Sequence, residues 1–566
     1  MRLSRKNTNR GVFDVLKADW IGKNMDLTLL KTVHLCVCIA AFTASAQTRV
    51  QLAEPLEWLY PDSKTGTVRA CAETDVPANG VAEVNVLLNG LKPGDPVSFS
   101  SSAEGGEWFR LAAVPVEKNT GPDGFVENIE KGRTNLFVTR RAPFEVFDAM
   151  EPLAGGKTSP RSETMALRFR LRNLPPGVRS LPVELAVSQG GFRAKLPFRV
   201  NIHKAALPPI GRKSFKFSNW MDWYGAMRCH GVRSYWLDRH FDVIGQYMDL
   251  AAYARQNVIG VPMFVKKNAE TGLQEPNEKL FVKFVELAKS KGFAYFEGPL
   301  LCRFGEGGWK AKNFKVRSTG AISTTREGAA ELARTASLLA AMVERNGWKD
   351  VWYQHVSDEP SDFNISEYRI TVGIVRKHMP GIKLIDTIEN PDFAGSLDVC
   401  VPKNFKYEND KAKYEALRTL PSDEMWCYTC INPGGKWLNR LLDQEVLRSL
   451  YLPLGCHVHS LDGYLHWGFN RYAPGKTPFD PGFQQDGPAG DRNLVYPSAE
   501  GPWPSVRLEA MRQGIEDLEL LRMLKRRNPE RAAVLCGRIV RGFCDYTADV
   551  AEYRSVRKEL LEALSE

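Results

Sequence analysis

The stretch whose reading decides the fold is Val351–Pro360, VWYQHVSDEP. Val351, Trp352 and Tyr353 favour an extended strand, because β-branched and aromatic side chains pack well on a pleated surface. The run ends in adjacent carboxylates, Asp358 and Glu359, and is closed by Pro360. Proline cannot donate to a further ladder and pushes Glu359 towards an extended conformation. Beyond it, Ser361 and Asp362 offer helix N-caps, and Ile365, Tyr368, Val372 and Val375 recur at helical spacing. Two acids are therefore expected where a strand passes through a loop into a helix, the edge at which a parallel α/β barrel carries its catalytic groups.

Outward from this strand the rhythm is strand, helix, strand. Strands are expected near residues 213, 258, 294, 351, 383, 397, 425 and 462, with helical segments between most of them. One such helix runs from about Asp238, with Phe241, Ile244, Met248 and Ala251 on one face; others cover Phe281–Ser290 and Glu327–Arg345. Eight strands in this order predict a (β/α)8 TIM barrel over 212–480. A doubly wound sheet is the alternative, but no G-x-G-x-x-G or P-loop follows any of the strands.

Upstream, past the proline-containing joint AALPPIGR (Ala205–Arg212), residues 47–205 read as β structure. Leu167, Phe169 and Leu171 alternate with Arg168, Arg170 and Arg172, which predicts one apolar and one solvated face. Leu181, Val183, Leu185 and Val187 alternate likewise, as do Phe198, Val200 and Ile202. Asn89-Gly90, Lys92-Pro93-Gly94-Asp95 and Pro175-Pro176-Gly177 mark turns, so the region is expected to be an N-terminal β-sandwich. Its role is open between carbohydrate binding and buttressing of the barrel, the second being favoured. Downstream, Tyr472–Pro504 is rich in Pro, Gly and Asp and reads as a long loop near the barrel mouth. A helix is expected from near Ser505, with Met511, Ile515, Leu518, Leu521 and Leu524 as its apolar stripe, followed by a helical stretch over Arg531–Leu564. Loop and helices make up 481–566. The fold class is a multidomain protein, α/β plus β.

A hydrophobic content of 43% and a charged content of 25% over 566 residues describe a globular chain of two or three domains. Of the formal charge of +10, four charges come from residues 1–46, where seven bases face three acids. The rest is mildly basic, and no basic run with interleaved aromatics suggests nucleic acid. Lys31, the apolar run Val33–Phe42 and Ala44-Ser45-Ala46 form an n-region, an h-region and an A-x-A site. Residues 1–46 are thus expected to be a signal peptide cleaved before Gln47, with Met25 as an alternative start. Export to a bacterial periplasm or the medium follows, with no integral membrane span after cleavage. Eleven scattered cysteines imply no disulfide framework, and Cys427-Tyr-Thr-Cys430 reads as buried thiols within a strand. No His/Cys/Asp cluster has ligand spacing, so neither metal nor organic cofactor is expected. The oligomeric state is not readable from the chain.

Candidate site residues gather at the expected carboxyl ends of four strands. Asn219 and Trp220 follow the first strand, and Asp358 and Glu359 the fourth. Tyr428 ends the seventh, and His466, Trp467 and Asn470 the eighth. Aromatic faces stack on the apolar faces of pyranose rings while amides and acids fix hydroxyls, so the rim suits a glycan. Most glycosidases place their two carboxyl groups about 5 Å or more apart on different strands. A contiguous Asp-Glu pair suits a substrate that brings its own nucleophile, the 2-acetamido group of a hexosamine. Asp358 would orient and polarise the amide N–H while its carbonyl oxygen attacks the anomeric carbon; Glu359 would act as general acid and then general base.

HVSDEP (His355–Pro360), DGYLHWGFNRY (Asp462–Tyr472) and GDRNLVYPSAEGPWPSVRLEAMRQGIEDLELL (Gly490–Leu521) together resemble glycoside hydrolase family 123. VPVEKNTG (Val114–Gly121) and RRAPFEVFDAMEP (Arg140–Pro152) resemble the β-domain that precedes the barrel in that family. The resemblance implies a β-sandwich and a (β/α)8 barrel, a β-N-acetylgalactosaminidase activity, and substrate-assisted retention through Asp358 and Glu359. It also implies Tyr428 as a partner of the acetamido oxygen and Trp467 as a floor for the sugar. Two other readings remain open at this point. One is a glycosidase of other specificity, using Glu359 with a distant carboxylate such as Asp386 or Asp398. The other is a catalytically silent glycan-binding barrel.

Overall fold

A computed structural model describes residues 47–566, apart from 173, 175, 176, 178, 485 and 486. The expected signal peptide, and Pro175 and Pro176 of one expected turn, lie outside the described residues. The β region forms two five-stranded sheets. One orders Arg49–Ala53, Ala82–Asn89, Met165–Leu171, Gly106–Val116 and Phe144–Leu153; the other orders Glu73–Ala78, Phe192–Ala206, Ser180–Gln189, Val97–Ser101 and Lys157–Thr158. Val84, Val86, Leu167, Phe169, Val183, Leu185, Phe198 and Val200 form the apolar core of this region.

One expectation for this region fails. Met165–Leu171 is buried along its whole length, Arg168 and Arg170 included, so of the three arginines only Arg172, just past the strand, is solvated. Arg168 donates to Asn85 Oδ1 (2.9 Å) and to the Pro55 carbonyl (2.9 Å). Arg170 donates to Glu107 (2.8 Å) and to Glu509 (2.5 Å) of the C-terminal helix Val506–Arg527. Alternation of apolar and charged residues identifies the strand, but Glu83 and Glu107 of the sandwich and Glu509 of the C-terminal helix supply the counter-ions that let its charged face be covered.

Eight parallel strands close into a barrel: β1 (Lys216–Asn219), β2 (Val258–Gly260), β3 (Tyr295–Gly298), β4 (Trp352–Gln354), β5 (Lys383–Ile388), β6 (Val399–Pro402), β7 (Glu424–Thr429) and β8 (Gly463–His466). Closure is made by β1 beside β8, with Lys216 opposite Gly463 and Asn219 opposite His466. Large residues from several strands, among them Tyr353, Ile385, Val401, Trp426 and Leu465, form one buried cluster. At the amino end of β7, the Glu424 carboxylate accepts from Lys383 (2.7 Å), Tyr353 (3.1 Å) and Trp426 (2.9 Å) and pairs with Lys216 (3.1 Å). That network knits four strands together at the end of the barrel opposite the site.

Between β3 and β4 the chain inserts a hairpin, Cys302–Phe304 with Phe314–Val316, ahead of the helix Arg326–Arg345. The helix after β4 spans Ile365–His378, and neither Ser361 nor Asp362 caps it. Asn364 occupies the cap position, and its side chain is drawn backwards to accept from the Ser361 amide (2.9 Å), which makes an extra turn. Glu359 is not extended: its φ is +41°, in the left-handed region. A non-glycine residue there carries strain of about 1–3 kcal/mol, which surrounding contacts must hold.

Ser505 caps the helix Val506–Arg527 through its hydroxyl, which accepts from the Leu508 amide (3.0 Å). The expected stripe is buried, and so are the charges on its other faces. Arg512 lies among Glu83 (3.1 Å), Glu509 (2.9 Å) and Glu516 (2.8 Å), and Arg507 pairs with Asp148 (2.9 Å). Glu83 and Asp148 belong to the sandwich, so this helix locks the two domains together. The expected single stretch Arg531–Leu564 is two helices, Pro529–Ile539 and Val550–Ser565. Phe543, fully buried, lies in the break, and its carbonyl accepts from the Leu438 amide (2.7 Å). Among the described residues, no helix is long and apolar enough to cross a membrane.

Candidate active site

After β4 the backbone is held by a single carboxylate from β5. Asp386 accepts from the Ser357 amide (3.0 Å), the Val356 amide (3.2 Å) and the Tyr368 hydroxyl (2.5 Å), and bonds His355 Nδ1 (2.9 Å). His355 Nε2 meets Glu297 Oε2 (3.1 Å) at the end of β3, and that oxygen also accepts from Trp220 Nε1 (2.5 Å). Burial alone would strip the proton from His355, but the bonds to Asp386 and Glu297 outweigh it and push the imidazole up to about 10. A charged imidazolium between two acids therefore fixes the segment that leads to Asp358 and Glu359. This use of Asp386 takes it out of the cavity. Asp398 accepts from the Leu384 amide (2.7 Å) near the start of β5 and pairs with Arg376 (3.1 Å). Neither acid is a distant partner for Glu359.

Asp358 and Glu359 both line a cavity of about 590 Å³ at the carboxyl end of the barrel. Thr387 links them: its hydroxyl donates to Asp358 Oδ1 (3.0 Å) and accepts from the Glu359 amide (3.1 Å). That bond is one of the contacts that hold the left-handed backbone at Glu359. The Glu359 carboxyl is bonded to the Tyr428 hydroxyl, which also lies 3.2 Å from Glu389 Oε1. Lys403 Nζ stands 3.7 Å from Glu359 and 2.5 Å from Glu389, and Lys406 holds the other Glu389 oxygen at 2.6 Å.

These contacts raise Asp358 and Glu359 and lower Glu389. Burial raises Glu359, the Lys403 charge opposes this, and Asp358 and Glu389 add to it, leaving Glu359 at about 7. Asp358 is raised by burial as well, against the Thr387 hydrogen bond and the charges of His355, Arg471 and Arg317. Burial would raise Glu389 too, but Lys403 and Lys406 overcome it and keep this carboxylate ionised. One acid poised near neutrality beside an anchored carboxylate and an ammonium suits a group that gives up and takes back a proton.

Of the eight residues expected to form the site, five line this cavity: Asp358, Glu359, Tyr428, Trp220 and Trp467. Trp467 is oriented by donating from Nε1 to Asp491 (3.1 Å), and the Arg471 guanidinium lies 5.4 Å from its ring centre. Asn219, His466 and Asn470 do not line it; all three are buried and bonded to other protein groups. Buried Arg440 donates to Asn219 Oδ1 (2.6 Å) and His466 Nδ1 (2.6 Å), and burial with that guanidinium keeps His466 neutral. Asn470 accepts from the Asp222 amide (2.7 Å) and donates to its carbonyl (3.2 Å), tying two loops. A strand-end position brings a residue to the rim; the direction of its side chain depends on which neighbour satisfies it.

Sequence reasoning missed Thr387, Glu389, Lys403 and Arg471, and the aromatic residues Phe125, Trp309 and Phe363, which also line the cavity. A signal for the first three existed. Thr387 and Glu389 lie at the end of β5 and Lys403 directly follows β6, two strand ends for which no candidate was named. No local signal marks Phe125, which comes from the sandwich region.

Residues 325–524 match the family model of the glycoside hydrolase 123 catalytic domain. The fold resembles that of a family 123 glycoside hydrolase from Clostridium perfringens, solved to give the details of glycolipid glycan hydrolysis. The TM-score is 0.65 at 10% identity, covering 92% of this chain and 97% of that one. Apo β-glucuronidase 3 from Bacteroides uniformis gives a TM-score of 0.32 at 10% identity, over 82% of this chain and 51% of that one. The CBM22-1–GH10 modules of a xylanase from Clostridium thermocellum give 0.33 at 8% identity, over 82% and 93%. No curated protein matches the sequence. The matched segment runs from the cap of the helix before β4 into the C-terminal helix and contains the Asp358–Glu359 pair, so the part of the chain that carries the acid pair is similar to the catalytic domain of glycoside hydrolase family 123.

Proposed function

We propose that the protein is an exported, retaining exo-glycosidase that removes terminal β-N-acetylgalactosamine by substrate-assisted catalysis. The observation that carries this reading is the contiguous pair Asp358–Glu359 in one cavity, with Glu359 raised to about 7. The anionic Asp358 accepts the substrate's acetamido N–H. The acetamido carbonyl oxygen attacks the anomeric carbon as the glycosidic C–O bond breaks, and Glu359 gives its proton to the departing oxygen. Asp358 offsets the positive charge of the cyclic oxazolinium formed. Glu359, now a carboxylate, takes a proton from water as that water opens the ring at the same face, which restores the acetamide. Trp467 and Trp220 present aromatic surface for the sugar, and the Tyr428 hydroxyl stands beside Glu359. The n-region, apolar run and A-x-A site of residues 31–46 support export.

The test is turnover of aryl β-glycosides that differ only at carbon 2. The N-acetyl-β-galactosaminide is expected to be cleaved at least about 10³-fold faster than the β-galactoside, because a built-in nucleophile has a high effective molarity. Comparable cleavage of the β-galactoside would remove the mechanism. Glycan binding without turnover of any hexosaminide would favour a silent barrel.

The same reading fixes the pH dependence. Glu359 must be protonated to begin the reaction, so kcat/KM is expected to fall above an apparent pKa of about 7. Glu359→Gln, assayed with an activated aryl leaving group, should remove that alkaline limb from the residual rate. A limb that persists in the variant would assign it to another group.

A further inference from the structure

A second cavity, of about 750 Å³, opens at the other end of the barrel, where the chain enters β1 and β8. It is larger than the one that holds the acid pair, and its walls carry charge of mostly one sign. Arg212 and Lys213 come from the joint between sandwich and barrel, Lys525 and Arg526 from the last turn of the helix Val506–Arg527. All four are exposed, and none forms an ion pair among the described residues. Two further cations on the wall are already matched, Lys216 by Glu424 (3.1 Å) and Arg522 by Glu519 (3.2 Å). The acid of the lining, Asp462, is engaged within the fold, where it accepts from Arg418 (2.7 Å) and the Met425 amide (3.0 Å).

Cations in the last turn of a helix meet its negative end, which accounts for Lys525 and Arg526. It does not account for Arg212 and Lys213, which lie on no helix and line the same cavity. Like charges around one space repel, so folding by itself gains nothing from gathering them. His457, also in the lining, feels the effect. Burial and the charges of Lys525 and Arg522 hold its imidazole down to about 4, and no carboxylate offsets them. Ser460, just past the end of the helix Val446–Val458, has φ +55°, a position that helices usually fill with glycine. Its hydroxyl stands on the cavity wall with no partner among the described residues.

The remaining walls narrow the ligand. Phe215, Leu461 and Leu518 are buried, so no apolar side chain of the lining projects to enter a bilayer, and no exposed Phe, Tyr or Trp is there to stack a base. Guanidinium and ammonium groups are the usual partners of phosphate and sulfate oxygens. One tetrahedral oxyanion would occupy a small part of the space, whereas cations from two segments suit several anionic groups on one molecule. We infer that this cavity is a binding site for a ligand that carries two or more phosphate or sulfate groups, held by Arg212 and Lys213 of one segment and Lys525 and Arg526 of another. The site is independent of the reaction at the acid pair, which lies at the opposite end of the barrel.

The full-length protein is titrated calorimetrically at low ionic strength with inorganic triphosphate and with sulfated maltotetraose, beside maltotetraose without sulfate. Binding of a charged probe is expected, weakening as salt is added, with none of the uncharged sugar. Tighter binding of triphosphate names a free phosphate compound as the source of the anion; tighter binding of the sulfated sugar names a glycan-borne ester. Arg212→Gln combined with Lys525→Gln should weaken binding at least about tenfold, since both remove charge-assisted hydrogen bonds. Both side chains are exposed and unpaired, so the fold is spared. Lys157→Gln combined with Arg193→Gln removes the same charge from exposed positions of the sandwich and should leave binding within about twofold. Equal losses in the two double variants would mean diffuse attraction and overturn the site. Binding that survives Arg212→Gln with Lys525→Gln, or neither charged probe bound at millimolar concentration, also overturns it. So does attachment to phosphatidylglycerol vesicles with neither soluble probe bound.

Discussion

Replacing Glu359 with glutamine is expected to lower kcat/KM on an N-acetyl-β-galactosaminide by about 10²–10⁴, the span of a lost general acid–base group. The loss should grow with the basicity of the leaving group, because a sugar alkoxide needs the proton more than an activated phenolate does. A uniform loss across leaving groups would mean that Glu359 positions the substrate rather than protonating it. The same variant should be more stable than its parent in alkali. In the unfolded chain Glu359 has the ordinary value of 4.5; in the folded protein burial and neighbouring acids raise it to about 7. The folded state therefore binds the extra proton. That contribution is fully present below pH 4.5 and is lost as pH rises through 7, on the order of 3 kcal/mol. Glutamine carries no such titration, so thermal melts at pH 8.5 should show a higher Tm for Glu359→Gln, with the difference shrinking towards pH 4. An equal melting point at pH 8.5 would mean that the carboxylate is better solvated than its burial implies.

Replacing Asp358 with alanine is expected to cost about 10²–10³ in kcat/KM, the usual effect of removing one group aimed at transition-state charge. Asp358 shares the Thr387 hydroxyl with the Glu359 backbone, so its side chain is held in the cavity beside Glu359. Two readouts separate this role from a structural one. Affinity for a 2-acetamido thiazoline inhibitor, which resembles the cyclic intermediate, should fall in parallel with kcat/KM. Asp358→Asn should not restore it, since the amide carries no negative charge to offset the oxazolinium. Unchanged thiazoline affinity in both variants would exclude contact between Asp358 and the acetamido group.

Much of this architecture is legible along the chain because its causes are local. Strand, turn and helix signals repeat often enough to count eight strands, and Asp358 and Glu359 are neighbours whatever the rest does. The errors share one cause. Arg168 and Arg170 read as solvated because their counter-ions lie elsewhere, Glu509 of the C-terminal helix for Arg170 and Glu83 of a neighbouring strand for Arg168. Asn219, His466 and Asn470 read as sugar ligands because a strand end says where a residue is, not which partner it meets. Glu359 reads as extended because proline disfavours other conformations nearby, whereas Thr387, on another strand, bonds its amide in a left-handed one.

The sequence by itself determined the barrel, the preceding sandwich and the position of the acid pair at the end of the fourth strand. Only the tertiary structure decided the proton affinity of Glu359, because it depends on burial, on Lys403, Asp358 and Glu389 and on the Tyr428 hydrogen bond, and of these five causes only Asp358 is a neighbour in the chain. It also decided what surrounds the pair. Phe125 reaches the cavity from more than two hundred residues away in sequence, through backbone contacts that no local pattern announces. Periodicity reports which face of an element is apolar; which charges are paired, and which groups converge, depends on contacts between distant parts of the chain.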